Sequence, residues 1–294
     1  MATIGQGMQA ALLRAAFGGL RLLGPVAASN LCGAVARAVG PSLPPSRVAE
    51  ANLRRALPEL DAAARRRVIR LVWDNLGRTA GELPHLSVLR RTASGPGWEL
   101  DGEEHVRAAV AGGGPVLFFS GHLGNWEMLL PIAGQLGLPL SGVYRAPTNP
   151  AVDAWMRDVR LVAMHPEATL FAKGSAGARL LLKHLGAGRP LALLADQKMN
   201  DGIAVPFFGR PAMTAPALAQ FALRHGAPLL PARVERLGPA RFRIVVEAPF
   251  RAADTGDRAA DVLAAMTRVN ATLERWIRAA PGSWLWLHRR WPKG

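Results

Sequence analysis

The sequence predicts an α/β fold: a central mixed sheet covered by helices, preceded by N-terminal helices that include an amphipathic membrane-associating segment. Two observations carry this. Pro115–Phe119 (P-V-L-F-F) and Pro190–Ala195 (P-L-A-L-L-A) are short apolar runs bounded by glycine and polar residues, the pattern of buried strands. Helical patterns separate and follow them, and strands alternating with helices argue for a sheet covered by helices.

In chain order, Met1–Leu23 is rich in Ala, Leu and Gly, interrupted by Arg14 and Arg21. Leu22–Ala36 is uncharged but contains Gly24, Pro25 and Gly33, and a spanning helix needs about 20 apolar residues. The pattern predicts a segment lying on an interface with its arginines on the polar side. Gly40-Pro41-Ser42-Leu43-Pro44-Pro45 ends it. Ala62–Leu76 then places Val68, Leu71, Val72 and Leu76 at helical spacing. T-A-S-G-P-G at 92–97 marks a second boundary. Helices are predicted over Trp126–Leu136, Val152–Val162 and Ala215–His225, the last closed by Gly226. Leu229–Arg236 and Phe242–Val246, joined through Gly238-Pro239, read as late strands. Asp257–Ala279 reads as a long amphipathic helix with Val262, Met266, Val269, Leu273 and Ile277 on one face.

The 294 residues suffice for a sizeable core. Half of them are hydrophobic and the mean hydropathy is +0.12, too low for a multi-span membrane protein. The net charge of +15 favours an anionic partner. Nearly all of it is arginine, which forms planar forks onto phosphate and carboxylate. A nucleic-acid role fits the charge, but only 6% of residues are aromatic and no helix-turn-helix, RRM or zinc signature is present. Cys32 is the sole cysteine, which excludes an intrachain disulfide or a cysteine-based zinc site. H-E-x-x-H, a Walker loop and a strand-borne G-x-G-x-x-G are all lacking, so no metal or cofactor is expected.

The chemistry concentrates in L-F-F-S-G-H-L-G-N-W-E-M, residues 117–128. His122 falls just past a predicted strand, where α/β sheets present groups to a crevice. Gly121 and Gly124 allow tight turns. Glu127 lies in the first turn of the following helix, where the dipole keeps it ionised. From there its carboxylate is expected to fold back onto one imidazole nitrogen, leaving the other to take a proton from a hydroxyl. No nucleophile elbow accompanies the pair, so the nucleophile is expected to be the substrate's own hydroxyl. Asn125 either donates to an oxyanion or shapes the turn; the turn is the stronger reading. His85 and His105 fall in polar stretches expected to be exposed, and His165, His184 and His225 near helix ends.

G-H-L-G-N-W-E resembles the His-x4-acid signature of glycerolipid-type acyltransferases, and in its specific form the lipid A late acyltransferases. Further blocks match in order: N-L-R-R-A-L-P-E at 52–59, V-Y-R at 143–145 with Asn149-Pro150, Asp196-Gln197, V-P-F-F-G at 205–209 and W-L-W-L-H-R-R at 284–290. The chain departs from the family where Ala146 precedes Pro147, against the common Y-R-P, and in the segment Met164–Gly177. The resemblance covers nearly the whole chain. It implies transfer of a fatty acyl group from acyl carrier protein to a hydroxyl of a lipid A precursor, an anionic glycolipid, at the cytoplasmic face of the inner membrane. An acyl-CoA-dependent enzyme for another glycolipid, such as phosphatidylinositol mannoside, shares the signature. By resemblance His122 is the general base and Glu127 its partner, and Arg145 and Arg160 face the site, there to hold a phosphate or an oxyanion. Asp196 and Gln197 sit beyond the second predicted strand, as site-shaping hydrogen bonders or as a helix cap. Arg289 and Arg290 are further candidates for phosphate. The implied organisation is an amphipathic membrane-associating helix over 1–40 and an acyltransferase domain over 41–294, with a helical lead-in at 46–92 and an α/β core at 98–294.

Overall fold

The computed structural model describes residues 4–292. The first three residues of the expected N-terminal segment and the last two of the chain lie outside the described residues. The N-terminal segment is two helices rather than one, α1 (Ile4–Leu23) and α2 (Pro25–Val39). Gly24, at φ 76°, and Pro25 break it, because proline cannot continue a helix but starts one well. α3 (Pro45–Ala56) and α4 (Ala62–Glu82) follow; Asp61 caps α4 by accepting the Ala64 N–H at 2.6 Å.

The alternating part then runs β1 (Gly97–Asp101), α5 (Glu103–Ala111), β2 (Leu117–Ser120), α6 (Leu129–Gln135), β3 (Ser141–Tyr144), α7 (Pro150–Ala163), β4 (Leu170–Ala172), α8 (Ser175–Gly186) and β5 (Leu191–Leu194). A hairpin, β6 (Lys198–Phe207) and β7 (Arg210–Thr214), precedes α9 (Ala217–His225), β8 (Leu229–Gly238), β9 (Arg241–Val246) and α10 (Arg258–Ala279). Both apolar runs, both late strands and the long helix stand where the sequence pattern puts them. The short strands β3 and β4 and the hairpin carried no such pattern.

The main sheet has seven strands in the order β1-β9-β8-β2-β5-β3-β4. Every pair is parallel except β8–β9, whose tight turn at Pro239-Ala240 permits an antiparallel return. The expected mixed sheet is therefore present. Its alternation splits the core into two layers: Phe119 packs with Phe250 and Trp276 on the α8–α10 side, and Phe118 with Met128 and Ile132 on the α5–α6 side. Parallel pairing brings the ends of β2, β5, β3 and β4 to one rim, which carries the site.

The V-P-F-F-G block makes the β6–β7 turn, with Phe208 and Gly209 at φ 53° and 67°, the two positive values of a type I′ hairpin. Phe208 is held there by its N–H donating to Glu274 Oε2 at 2.6 Å. Its ring and that of Phe207 pack against Trp284, Trp286 and Trp291.

α2 lies along α4. The backbones approach so closely that a Cβ at Gly81 would stand 2.4 Å from the Ala28 carbonyl oxygen. α1 crosses α7, with Phe17 edge-on to Trp155 at 4.5 Å and the Asn149 amide donating to Gln6 O and Gln9 Oε1. Among the described residues no helix is long and apolar enough to cross a membrane. His85, expected to be exposed, is buried: it hydrogen bonds Leu20 O at 3.2 Å where α1 ends over the turn after α4. Gly81→Val is expected to lower stability by about 1–3 kcal/mol through overpacking of α2 on α4; an unchanged denaturation midpoint would show that the helices are free to separate.

Candidate active site

β2 ends at Ser120, and the turn S-G-H-L-G carries His122 over the rim. The C-terminal block pins that turn. Leu123 and Trp284 form an antiparallel bridge, Leu285 N donates to His122 O at 3.1 Å, and Gly124 N donates to Ser283 O at 3.1 Å. Gly124 is obligatory here: its φ is 56°, and a Cβ would lie 2.2 Å from Val234 O.

Asp196, two residues beyond β5, reaches back to the same turn. Its Oδ1 accepts the His122 Nδ1–H at 2.8 Å, and its Oδ2 accepts the His122 backbone N–H at 2.8 Å and the Trp284 Nε1–H at 2.7 Å. Burial opposes the charge on Asp196, yet His122, by charge and hydrogen bonds, and Trp284 hold its carboxyl down at about 2. Burial likewise pulls the imidazole down, but Asp196, with help from Glu127, outweighs it and raises the His122 pKa above the ordinary 6.5. With Nδ1 committed to Asp196, Nε2 is left as the acceptor. It faces the crevice, with the Gln197 amide donating to it over a long 3.4 Å. Trp126 stands edge-on to the ring at 5.0 Å.

The orienting carboxylate is thus Asp196 and not, as the spacing suggested, Glu127. Glu127 gives both oxygens to the Arg160 fork, Nε to Oε2 at 2.7 Å and Nη2 to Oε1 at 2.8 Å. The reason is local. Asn125 caps a single 3-10 turn over Trp126–Met128 by accepting the Glu127 N–H at 3.2 Å, and the glutamate side chain then meets α7. Nothing in the local sequence announces Asp196 as the partner, since it is 74 residues away. Its position just beyond a buried strand was the available signal.

Asn125 is fully buried, and its amide donates to Glu82 Oε2 at 2.8 Å, so it shapes the turn. Glu82 itself has no exposed surface and accepts from Ser29, from Ala240 N and from Arg236. Arg236 also donates to Asn75 and Thr79, both of which donate to the Gly124 carbonyl. A buried ion pair beneath the sheet rim therefore carries the far side of the histidine turn. Arg290 is equally buried, donating to Met213 O and Thr214 Oγ1 and stacking over Phe207; burial lowers its pKa to about 10 although Asp196 opposes this. It supports the wall of the site, whereas Arg289 is exposed at the rim.

His122 Nε2 opens on a cavity of about 750 Å3. Its depth is apolar, with Leu86, Phe118, Ile132, Leu138, Phe171 and Leu181 among its lining, while its mouth carries Glu127, Arg145, Arg160, Lys173, Lys198 and His288. Arg145 is exposed and makes no ion pair among the described residues. The structure therefore brings His122, Glu127, Arg145, Arg160 and Gln197 around one opening, with Asp196 buried behind His122 and Asn125 beneath the turn. Among the described residues no group of acidic, histidine or cysteine side chains could hold a metal ion.

Residues 8–293 match the family profile described as bacterial lipid A biosynthesis acyltransferase. The chain belongs to that family. No curated protein matches it. In this family member an imidazole nitrogen and a large apolar cavity meet at His122. Glu82, Arg236 and the bond from Trp284 to Asp196 escaped the sequence reading because they are contacts across the fold.

The pH dependence follows from the direction of the His122 shift. The imidazole accepts a proton only when neutral, so kcat/KM is expected to fall as pH drops through an apparent pKa above 6.5. Asp196→Asn removes the charge that raises it. The limb should move to lower pH, with activity down about 10^2–10^4-fold. A limb that stays in place would show that Asp196 does not tune the base.

Proposed function

We propose that the protein transfers a fatty acyl chain from acyl carrier protein to a hydroxyl of an anionic lipid A precursor, with His122 as general base and no acyl-enzyme. The observation that carries this reading is the acceptor Nε2 of His122, met among the described residues only by the long Gln197 contact, on a large apolar cavity with cationic side chains at its mouth. An acceptor hydroxyl gives its proton to Nε2 as its oxygen attacks the thioester carbonyl carbon. Collapse of the tetrahedral intermediate breaks the C–S bond, and the imidazolium returns the proton to the leaving thiolate. The buried Asp196 carboxylate fixes the imidazole tautomer and stabilises the imidazolium. Glu127 holds the Arg160 guanidinium at the rim, where a fixed fork suits an oxyanion or a substrate phosphate. Arg145, unpaired and exposed, is the second such group. Gln197 steers the hydroxyl beside Nε2.

The protein acts at the cytoplasmic face of the inner membrane, lying on it rather than crossing it. Leu31, Val35 and Val39 form an exposed apolar stripe on α2, and Met8 and Leu12 another on α1, with Arg14, Arg21 and Arg37 also exposed. Apolar stripes bordered by arginine suit an anionic leaflet. The surface and the cavity together favour a lipid acceptor over nucleic acid.

His122→Ala is expected to abolish transfer from acyl carrier protein thioester to an acylated glucosamine disaccharide phosphate, while co-sedimentation with phosphatidylglycerol vesicles persists. Turnover near the wild-type rate would sink the base assignment, and wild-type transfer from acyl-CoA alone would replace the donor. The double substitution Leu12→Glu with Val35→Glu should leave the melting temperature unchanged but release the protein from those vesicles; retained sedimentation would exclude α1 and α2 as the contact.

A further inference from the structure

The cavity at His122 lies on both faces of the sheet. Phe118 and Ala192 turn toward α5 and α6; Phe119, Leu193 and Ala195 turn toward α8, α9 and α10; all five line it. Ala192, Leu193 and Leu194 belong to a strand flanked on both sides, yet none of them is fully buried. A central strand has such residues only where both of its faces meet open space. The pairing shows where the two sides join. β5 pairs with β3 at Ser141–Leu191 and Gly142–Ala192 and no further, while β2 continues beside β5 to Ser120–Leu194. β3 and β4 therefore part from β5 at the rim, and the lining continues through this gap from one face to the other.

The two lobes differ. The α6-side lobe runs deep beneath β8 and β9 and ends at Leu100, Val106 and Val246. The α8-side lobe is bounded by Phe171, Gly177, Ala178, Leu181 and Phe221, with the exposed Lys173 and the partly exposed Lys198 beside it. Acyl transfer onto an acylated acceptor brings two apolar chains to one histidine: the chain being moved and a chain the acceptor already carries. A single narrow tunnel serves one of them.

Building on the acyl-transfer reading above, we propose that the α6-side lobe takes the donor's acyl chain and the α8-side lobe takes a chain of the acceptor lipid. Lys173 and Lys198 then lie over a phosphate of that same acceptor. The apolar lining of the first lobe, which continues from Phe118 to Leu100, Val106 and Val246, suits a long acyl chain. The cationic opening of the second suits a phosphorylated glycolipid, whose headgroup stays at the surface while its tail enters. The fold thereby separates two selections: donor chain length on one face of the sheet, acceptor acylation on the other.

The test uses the full chain with acyl carrier protein thioesters of graded chain length and an acylated glucosamine disaccharide phosphate. Val106→Trp shortens the first lobe and should shift the donor preference to shorter chains. Ala178→Trp, on the partly open wall of the second lobe, should raise the acceptor KM about tenfold without moving the donor preference. Ala178→Leu, a smaller insertion, should give a smaller rise in the same direction, and melting temperatures show that each variant is folded. A folded Ala178→Trp with unchanged acceptor KM, or with a shifted donor chain preference, overturns the assignment of lobes. Wild-type protein that transfers no acyl chain would instead overturn the functional reading on which the assignment rests.

Discussion

The Asp196 carboxylate is the point on which the site depends. It accepts three N–H groups, two from His122 and one from Trp284, and so ties together the turn after β2, the end of β5 and the C-terminal block. A buried carboxylate is costly unless its oxygens are occupied by donors, and here they are. The same bonds that keep it ionised select the tautomer of the imidazole, so the stability of the turn and the orientation of the imidazole arise from one group.

The layers beneath serve that arrangement. Glu82, which has no exposed surface, and the largely buried Arg236 join α4 to the β8–β9 hairpin and reach the histidine turn through Asn125, Asn75 and Thr79. Replacing one partner of such a pair strands the other, which makes the network demanding but geometrically specific. On the opposite side the aromatic cluster of Phe207, Phe208, Trp284, Trp286 and Trp291 clamps the C-terminal block in place. The blocks V-P-F-F-G and W-L-W-L-H-R-R are far apart in the chain and pack as one structural unit. Their residues support the wall from which Trp284 donates to Asp196.

The acid of the His-x4-acid motif takes a different place from the one its spacing suggests. Four intervening residues bring Glu127 to the rim but turn it toward α7, where its partner is the Arg160 fork. The motif then brings two groups to one opening: an imidazole oriented by Asp196 and a carboxylate that fixes the Arg160 guanidinium. The splay of β3 from β5 creates the space into which both face, with lysines and arginines confined to the mouth and aliphatic side chains to the depth.

The sequence by itself determined the α/β class, the two central strands, the late strands and the long C-terminal helix. Their signals are local: apolar runs of strand length, helical spacing and the glycines and prolines that end them. It also carried the family and pointed to His122 as a candidate, since G-H-L-G-N-W-E is one contiguous stretch. Only the tertiary structure decided which carboxylate serves the histidine, because Asp196 reaches it across neighbouring parallel strands whose pairing no local pattern encodes. It likewise decided that Glu127 holds Arg160, that Asn125 lies beneath the site and that the cavity occupies both faces. β3, β4 and the β6–β7 hairpin were illegible for a related reason. β3 and β4 are too short to be read alone, and β6 opens on the polar K-M-N-D and contains Gly202 and Pro206; all become strands by hydrogen bonding to partners that the fold brings beside them.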